Sequence, residues 1–191
     1  MHDLNPKFKK FSYSDEIKYI TKSLGYISPI VAQSMYIFKN ARIGGEVDAH
    51  TDNTYIRSKP LCCFGIWVAF DDATKENGGL WGVPGSHKTP TTYFMKIKED
   101  SNGKTVVYYD PPEKPQYDLS NSVPLEAEKG TVVLLHGDFV HFSYPNTSGM
   151  QRHAYTIHLV EGRNHTWESD NWLQRKSIPF NFLYEVDSKN L

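Results

Sequence analysis

The sequence predicts a mainly β fold, a sandwich or barrel carrying one short N-terminal helix. Three observations predict it. Seven short runs rich in β-branched and aromatic residues recur along the chain. Turn residues separate them, among them Asn77-Gly78-Gly79 and Pro84-Gly85. A helical pattern occurs only near the start, at residues 13–25. Runs of this kind with turns between them are the mark of a closed or double-layered β architecture.

In chain order, the helix comes first. Tyr13, Ile17, Ile20 and Leu24 fall at helical spacing, Ser14 can cap the start, and Gly25 can end it. The strands are then expected at residues 30–39, 45–52, 61–70, 79–87, 105–110, 123–138 and 152–162. The polar, proline-dotted segment 88–122 reads as a long insertion loop carrying one strand. The stretch 163–191, with Trp167 and Trp172, reads as an ordered tail packed on the barrel.

Composition narrows the functional classes. The chain has 191 residues, enough for one domain over 1–191 with a sizeable core. Its formal net charge of −1 argues against a general nucleic-acid binder, which needs a basic face. Aromatics make up 14%, and such rings both favour strands and line pockets. The two cysteines, Cys62 and Cys63, are adjacent and would point to opposite faces of a strand. That makes them a poor disulfide pair and fits a reducing, cytoplasmic setting. The longest apolar run, Leu61 to Phe70, is too short to span a bilayer, and MHDLNPKFKKF holds no apolar signal core.

The chemistry is concentrated at His50-Thr51-Asp52. Residues i and i+2 of a strand share a face, so His50 and Asp52 can aim a ring nitrogen and a carboxylate oxygen at one point. That is two thirds of the facial triad that holds non-haem Fe(II) and leaves positions open for reaction. A third ligand must come from a strand distant in sequence, and His136 and His141 are the candidates. Arg152 follows His141 by eleven residues, a spacing that returns the next strand beside the ligand strand. A guanidinium there can fork onto a carboxylate such as that of 2-oxoglutarate. Ser143 shares the face of His141 and can donate to the same carboxylate.

These segments resemble the phytanoyl-CoA dioxygenase family. The resemblance rests on QSMYIFK (33–39), GGEVDAHTDNTYI (44–56), GIWVAFDDATKENGGLWGVPGSH (65–87), VLLHGDFVHFSYPN (133–146), RHAYTIHLVEG (152–162) and DNWLQ (170–174). It implies a double-stranded β-helix, a jelly roll of cupin type. It implies iron ligands at His50, Asp52 and His141, and 2-oxoglutarate contacts at Met35, Trp67, Ser143 and Arg152. His136 then becomes a strand-end residue with a structural hydrogen bond, His87 a loop residue, and His153 and His158 ordinary strand histidines.

The implied reaction is an O2-dependent hydroxylation of a small-molecule or acyl substrate, coupled to conversion of 2-oxoglutarate to succinate and CO2. The family name invites an acyl-CoA. Lys96, Lys98 and Lys104 are scattered, however, and form no evident cluster for CoA phosphates. By the same resemblance an N-terminal region precedes the point where this chain begins, and with it a lysine contact to the cosubstrate. A catalytically impaired metal-binding jelly roll and a cupin-type metal protein without oxygenase activity are the rival expectations.

Overall fold

The structure is a computed structural model and describes residues 1–184. It opens with two helices where one is expected. α2 (Asp15–Ser23) is the expected one, with the Ser14 side chain accepting from the Ile17 amide and Gly25 at φ +83° beyond its end. α1 (Pro6–Ser12) precedes it. The Asn5 side chain accepts from the amides of Lys7 and Phe8, and Pro6 fills the first helical position. A helix of about two turns is too short to show a period.

The strands are β1 (Pro29–Lys39), β2 (Val47–His50), β3 (Ser58–Lys59), β4 (Phe64–Ala69), β5 (Leu80–Gly82), β6 (Phe94–Glu99), β7 (Thr105–Asp110), β8 (Val123–Leu125), β9 (Val132–His136), β10 (His141–Ser143), β11 (Arg152–Glu161) and β12 (Thr166–Trp167). Two four-stranded antiparallel sheets form, in the orders β1-β11-β4-β9 and β2-β10-β5-β8. Neither order follows the sequence, so the chain crosses repeatedly between sheets. This is the expected jelly roll.

β4 and β11 lie at the centre of the first sheet and are covered on both faces. Ile66, Val68, Tyr155, Ile157 and Leu159 pack outward with Ile17 of α2 and, at the edge of that cluster, Phe8 and Phe11 of α1. Trp67, Ala69 and Ala154 point the other way and meet Leu80 of the second sheet. Double burial is why β4 reads as a continuous apolar run, whereas β11 turns Arg152, Thr156 and His158 to the cavity between the sheets. Truncating a fully buried side chain such as Ile66 or Ile157 would cost about 2–5 kcal/mol.

The insertion holds two strands, not one. β6 and β7 pair in register from Phe94↔Asp110 to Glu99↔Thr105, and Gly103 turns the hairpin at φ +73°. β6 reads as polar because lysines alternate along it. One of them, Lys96, bonds Asp110 at 2.6 Å across the hairpin. The C-terminal stretch is packed through residue 184, with the Trp167 ring 4.8 Å from that of Phe180 and the Trp172 indole donating to the Tyr55 carbonyl. Residues 185–191 of the expected tail lie outside the described residues. Cys62 and Cys63 are unpaired. No helix among the described residues is long and apolar enough to cross a membrane.

Candidate metal and anion site

Pairing of β2 with β10 sets His50 opposite His141, with ring centroids 4.3 Å apart. The strand ends there. Asp52 opens a 3-10 turn (Asp52–Thr54), so it does not share a strand with His50 as expected. The turn forms because the Asp52 carbonyl accepts from the Tyr55 and Ile56 amides and the Asn53 amide bonds out to Gly137. Thr51 between them stays extended, at φ −116° and ψ 144°. The two-residue alternation therefore survives, and both side chains still face one point.

One ligand-type atom from each of His50, Asp52 and His141 lies within 4.8 Å of the others. Asp52 Oδ1 is 3.9 Å from His50 Nε2 and 3.7 Å from His141 Nε2. Each histidine is oriented from behind. His50 Nδ1–H donates to the Asp48 carbonyl at 2.7 Å, and His141 Nδ1–H to that of Phe139 at 3.0 Å. Both Nε2 lone pairs are thereby turned into the cluster. Burial and the neighbouring His141 push the His50 pKa down to about 4. Burial opposes ionisation of Asp52, but His158, His141 and His50 outweigh it and hold the carboxyl well below its usual range. The set offers two imidazole nitrogens and a carboxylate, and a divalent metal takes such donors with the rings neutral and the carboxyl ionised.

The cluster opens onto a cavity of about 210 Å³ between the two sheets. Met35, Trp67, Ser143 and Arg152 line it together with His50, Asp52 and His141, so all seven expected residues share one space. Register explains part of this. Met35 of β1 faces Thr156 of β11, which faces Trp67 of β4. Met35, 39% exposed, stands at the rim.

Arg152 is 1% exposed. Its Nη2 donates to the Gly78 carbonyl at 2.6 Å, while Nε and Nη1 have no partner among the described residues. The guanidinium lies 5.7 Å from the Trp67 ring centroid, and the buried Trp67 Nε1–H is also unpartnered. Burial alone lowers the Arg152 pKa to about 10. Two residues that line this cavity thus carry three buried donors without an acceptor among the described residues, a demand that an anion in the cavity would meet.

His136 is a strand-end residue whose Nδ1 accepts from the Asp138 amide at 3.1 Å, and His87 lies beside it in a short 3-10 turn (Ser86–Lys88) rather than the expected loop. His153 bonds Tyr36 and Asn40 away from the cavity. His158 departs from expectation. It is not an ordinary strand histidine, for it lines the cavity and touches Asp52. Its even spacing from Arg152 on one strand is the signal that could have found it. Sequence reasoning also misses Lys39. It is 2% exposed, faces Arg152 across β1 and β11, and donates to the Tyr144 carbonyl at 2.6 Å. Burial, then Arg152, pushes its pKa down to about 8. A larger cavity of about 310 Å³, lined by Thr51, Tyr117 and Val140, holds none of the seven residues.

The phytanoyl-CoA dioxygenase (PhyH) family model matches residues 2–154. The chain is 47% identical over 185 residues to a phytanoyl-CoA dioxygenase domain-containing protein 1 homolog of Dictyostelium discoideum, covering 96% of this chain and 65% of that protein. It is 45% identical over 185 residues to phytanoyl-CoA dioxygenase 1 of Oryza sativa subsp. japonica, covering 97% and 63%. The chain thus spans less than two thirds of the length of these relatives.

Among solved structures, it is similar to the non-heme alpha ketoglutarate dependent carbocyclase SnoK from nogalamycin biosynthesis, with a TM-score of 0.68, 21% identity, and 93% and 71% of the two chains covered. The non-heme monooxygenase ThoJ gives a TM-score of 0.68 at 17% identity, over 95% and 62%. At such identities the likeness is one of fold. The family match over most of the chain, with relatives at 45–47% identity, establishes that this chain belongs to the phytanoyl-CoA dioxygenase family.

Proposed function

We propose that the chain carries the catalytic site of an Fe(II)- and 2-oxoglutarate-dependent dioxygenase that hydroxylates a small organic or acyl substrate. The observation that carries this reading is the pairing, in one cavity, of a His-Asp-His donor set with a buried arginine whose Nε and Nη1 lack acceptors. The donor set fits Fe(II), since two imidazoles and one carboxylate leave coordination positions free. His50, Asp52 and His141 would hold the metal. Arg152 would take the far carboxylate of 2-oxoglutarate in two parallel hydrogen bonds, with Ser143 and the Trp67 N–H as further donors. Met35 would close the rim.

When bound, iron and 2-oxoglutarate supply O2-driven oxidation of a substrate C–H bond, with release of succinate and CO2. The chain contributes ligation, orientation and a dry pocket. Ile37, Leu80, Leu135 and Phe142 give the cavity apolar walls suited to a hydrocarbon portion of the substrate. An acyl-CoA draws its support from the relatives' names. The insertion lysines do not favour it, because Lys96 is paired with Asp110 and Asp170, and Lys98 lies over the Tyr108 ring. Two free cysteines, one of them buried, fit a cytoplasmic setting.

Anaerobic mixing of the chain with Fe(II) and 2-oxoglutarate tests the reading. We expect a visible charge-transfer band that needs both additions. Metal binding without such a band would favour a cupin-type metal protein, and no metal binding would overturn the assignment.

A further inference from the structure

His158 is buried, 4% exposed, and the ligand and cosubstrate assignments leave it without a role. Its Nε2 lies 3.2 Å from Asp52 Oδ1, closer than either His50 or His141 comes to the same atom. At 3.2 Å the two atoms are within hydrogen-bonding distance, and a carboxylate oxygen can only accept, so His158 faces Asp52 as a donor when the proton sits on Nε2. His158 Nδ1 has no partner among the described residues, so no second hydrogen bond there ties this ring elsewhere. Gly65, the cross-strand partner of His158, lies against the other carboxylate oxygen. A Cβ at Gly65 would stand 3.0 Å from Asp52 Oδ2 and 3.5 Å from His158 Cδ2. The carboxylate therefore rests on a donor and on a neighbouring glycine whose missing side chain leaves it room.

This matters because the terminal torsion of aspartate is soft. Asp52 sits at the start of a short turn rather than in a strand, and Oδ2 has no hydrogen bond among the described residues. The nitrogens of His50 and His141 are fixed by backbone carbonyls, whereas Asp52 Oδ1 has only His158 as a donor within hydrogen-bond reach among the described residues. We propose that His158 is the positioning residue that holds the Asp52 carboxylate at the metal. The inference rests on reading His50, Asp52 and His141 as ligands. It adds a fourth histidine that sets the geometry of the third ligand without binding the metal.

Co(II) is the probe, with affinity and visible d–d bands as readouts. His158→Gln keeps an N–H near Asp52, and His158→Met has similar size and no donor. We expect Met to weaken Co(II) binding about 10–100-fold and shift the bands, and Gln to stay within about threefold of the unaltered chain. Unaltered Co(II) binding in His158→Met, or equal loss in the Met and Gln variants, would each overturn the inference.

Should His158→Met fail to fold, the tautomer decides. In the Zn(II)-loaded unaltered chain, nitrogen-15 histidine spectra should show His158 protonated at Nε2, and protonation at Nδ1 alone would refute the role. If Asp52→Ala loses Co(II) while His158→Met does not, only this inference fails. If the unaltered chain binds no Co(II), the ligand reading fails and takes the inference with it.

Discussion

Replacing Arg152 with methionine separates what this residue does for the fold from what it does for a ligand. The side chain is 1% exposed and places a cation beside the buried Lys39. Neither has a carboxylate partner among the described ion pairs. An unneutralised buried charge destabilises, and replacing it with an apolar side chain of similar length is often neutral or favourable. The loss of one hydrogen bond to the Gly78 carbonyl opposes that by about 1 kcal/mol. The ligand-free variant should therefore melt close to the unaltered chain.

Binding should respond quite differently. Breaking a buried charge pair with 2-oxoglutarate costs about 3–5 kcal/mol, a loss of affinity of about 150- to 5,000-fold. With Fe(II) present and air excluded, the charge-transfer band reports the 2-oxoglutarate titration. At about 100 times its dissociation constant the cosubstrate adds about 2.7 kcal/mol of stability. For a chain of 191 residues that is about 5–10 °C in melting temperature. The variant should show none of this rise at the same concentration, and Arg152→Lys only part of it. Binding of 2-oxoglutarate within about tenfold of normal in Arg152→Met would refute the reasoning.

Asp52→Ala should abolish tight Fe(II) binding, while His136→Ala, outside the cavity, should retain it; the reverse result in direct metal titrations would reassign the ligands. Trp67→Phe keeps the packing but removes the unpartnered N–H, so melting should change little and 2-oxoglutarate affinity should fall by about 1–2 kcal/mol, or about 5- to 30-fold. Unchanged affinity would mean the ring only packs. His2 is not among the residues that line the metal-site cavity. Burial chiefly, with Arg175 and the N-terminus, lowers its pKa to about 4 against the pull of Asp3. The unfolded chain then binds the extra proton first, so stability is full above about pH 6.5 and falls by about 3 kcal/mol as pH drops towards 4. Urea unfolding at about pH 7 and pH 4.5 should show a shallower loss for His2→Gln, and parallel profiles would exclude this role.

The parts of this fold that are legible in the sequence are those whose pattern is held by burial on a fixed face. β1, β7 and β11 match their expected runs closely, because each is long enough for alternation or continuous apolarity to show. The site is legible for a related reason. His50 and Asp52 carry their common direction in their spacing alone, and that survives the change from strand to turn because Thr51 stays extended. What is not legible depends on contacts between distant segments. α1 is held by Phe8 stacking 4.7 Å from Tyr155, and β6 by pairing with β7, neither of which leaves a local mark.

His158 is the instructive case. Once Arg152 is placed in the cavity, every second residue of β11 must face the same way, which brings Ala154, Thr156 and His158 inward. Parity along the strand is thus enough to put His158 on the cavity face. What parity cannot supply is depth. Only the pairing of β11 with β4, which sets His158 against Gly65, brings the ring level with Asp52 rather than a strand spacing away. A role carried by cross-strand register is invisible to spacing along one strand, and the residue that orients the carboxylate is found only when both are combined.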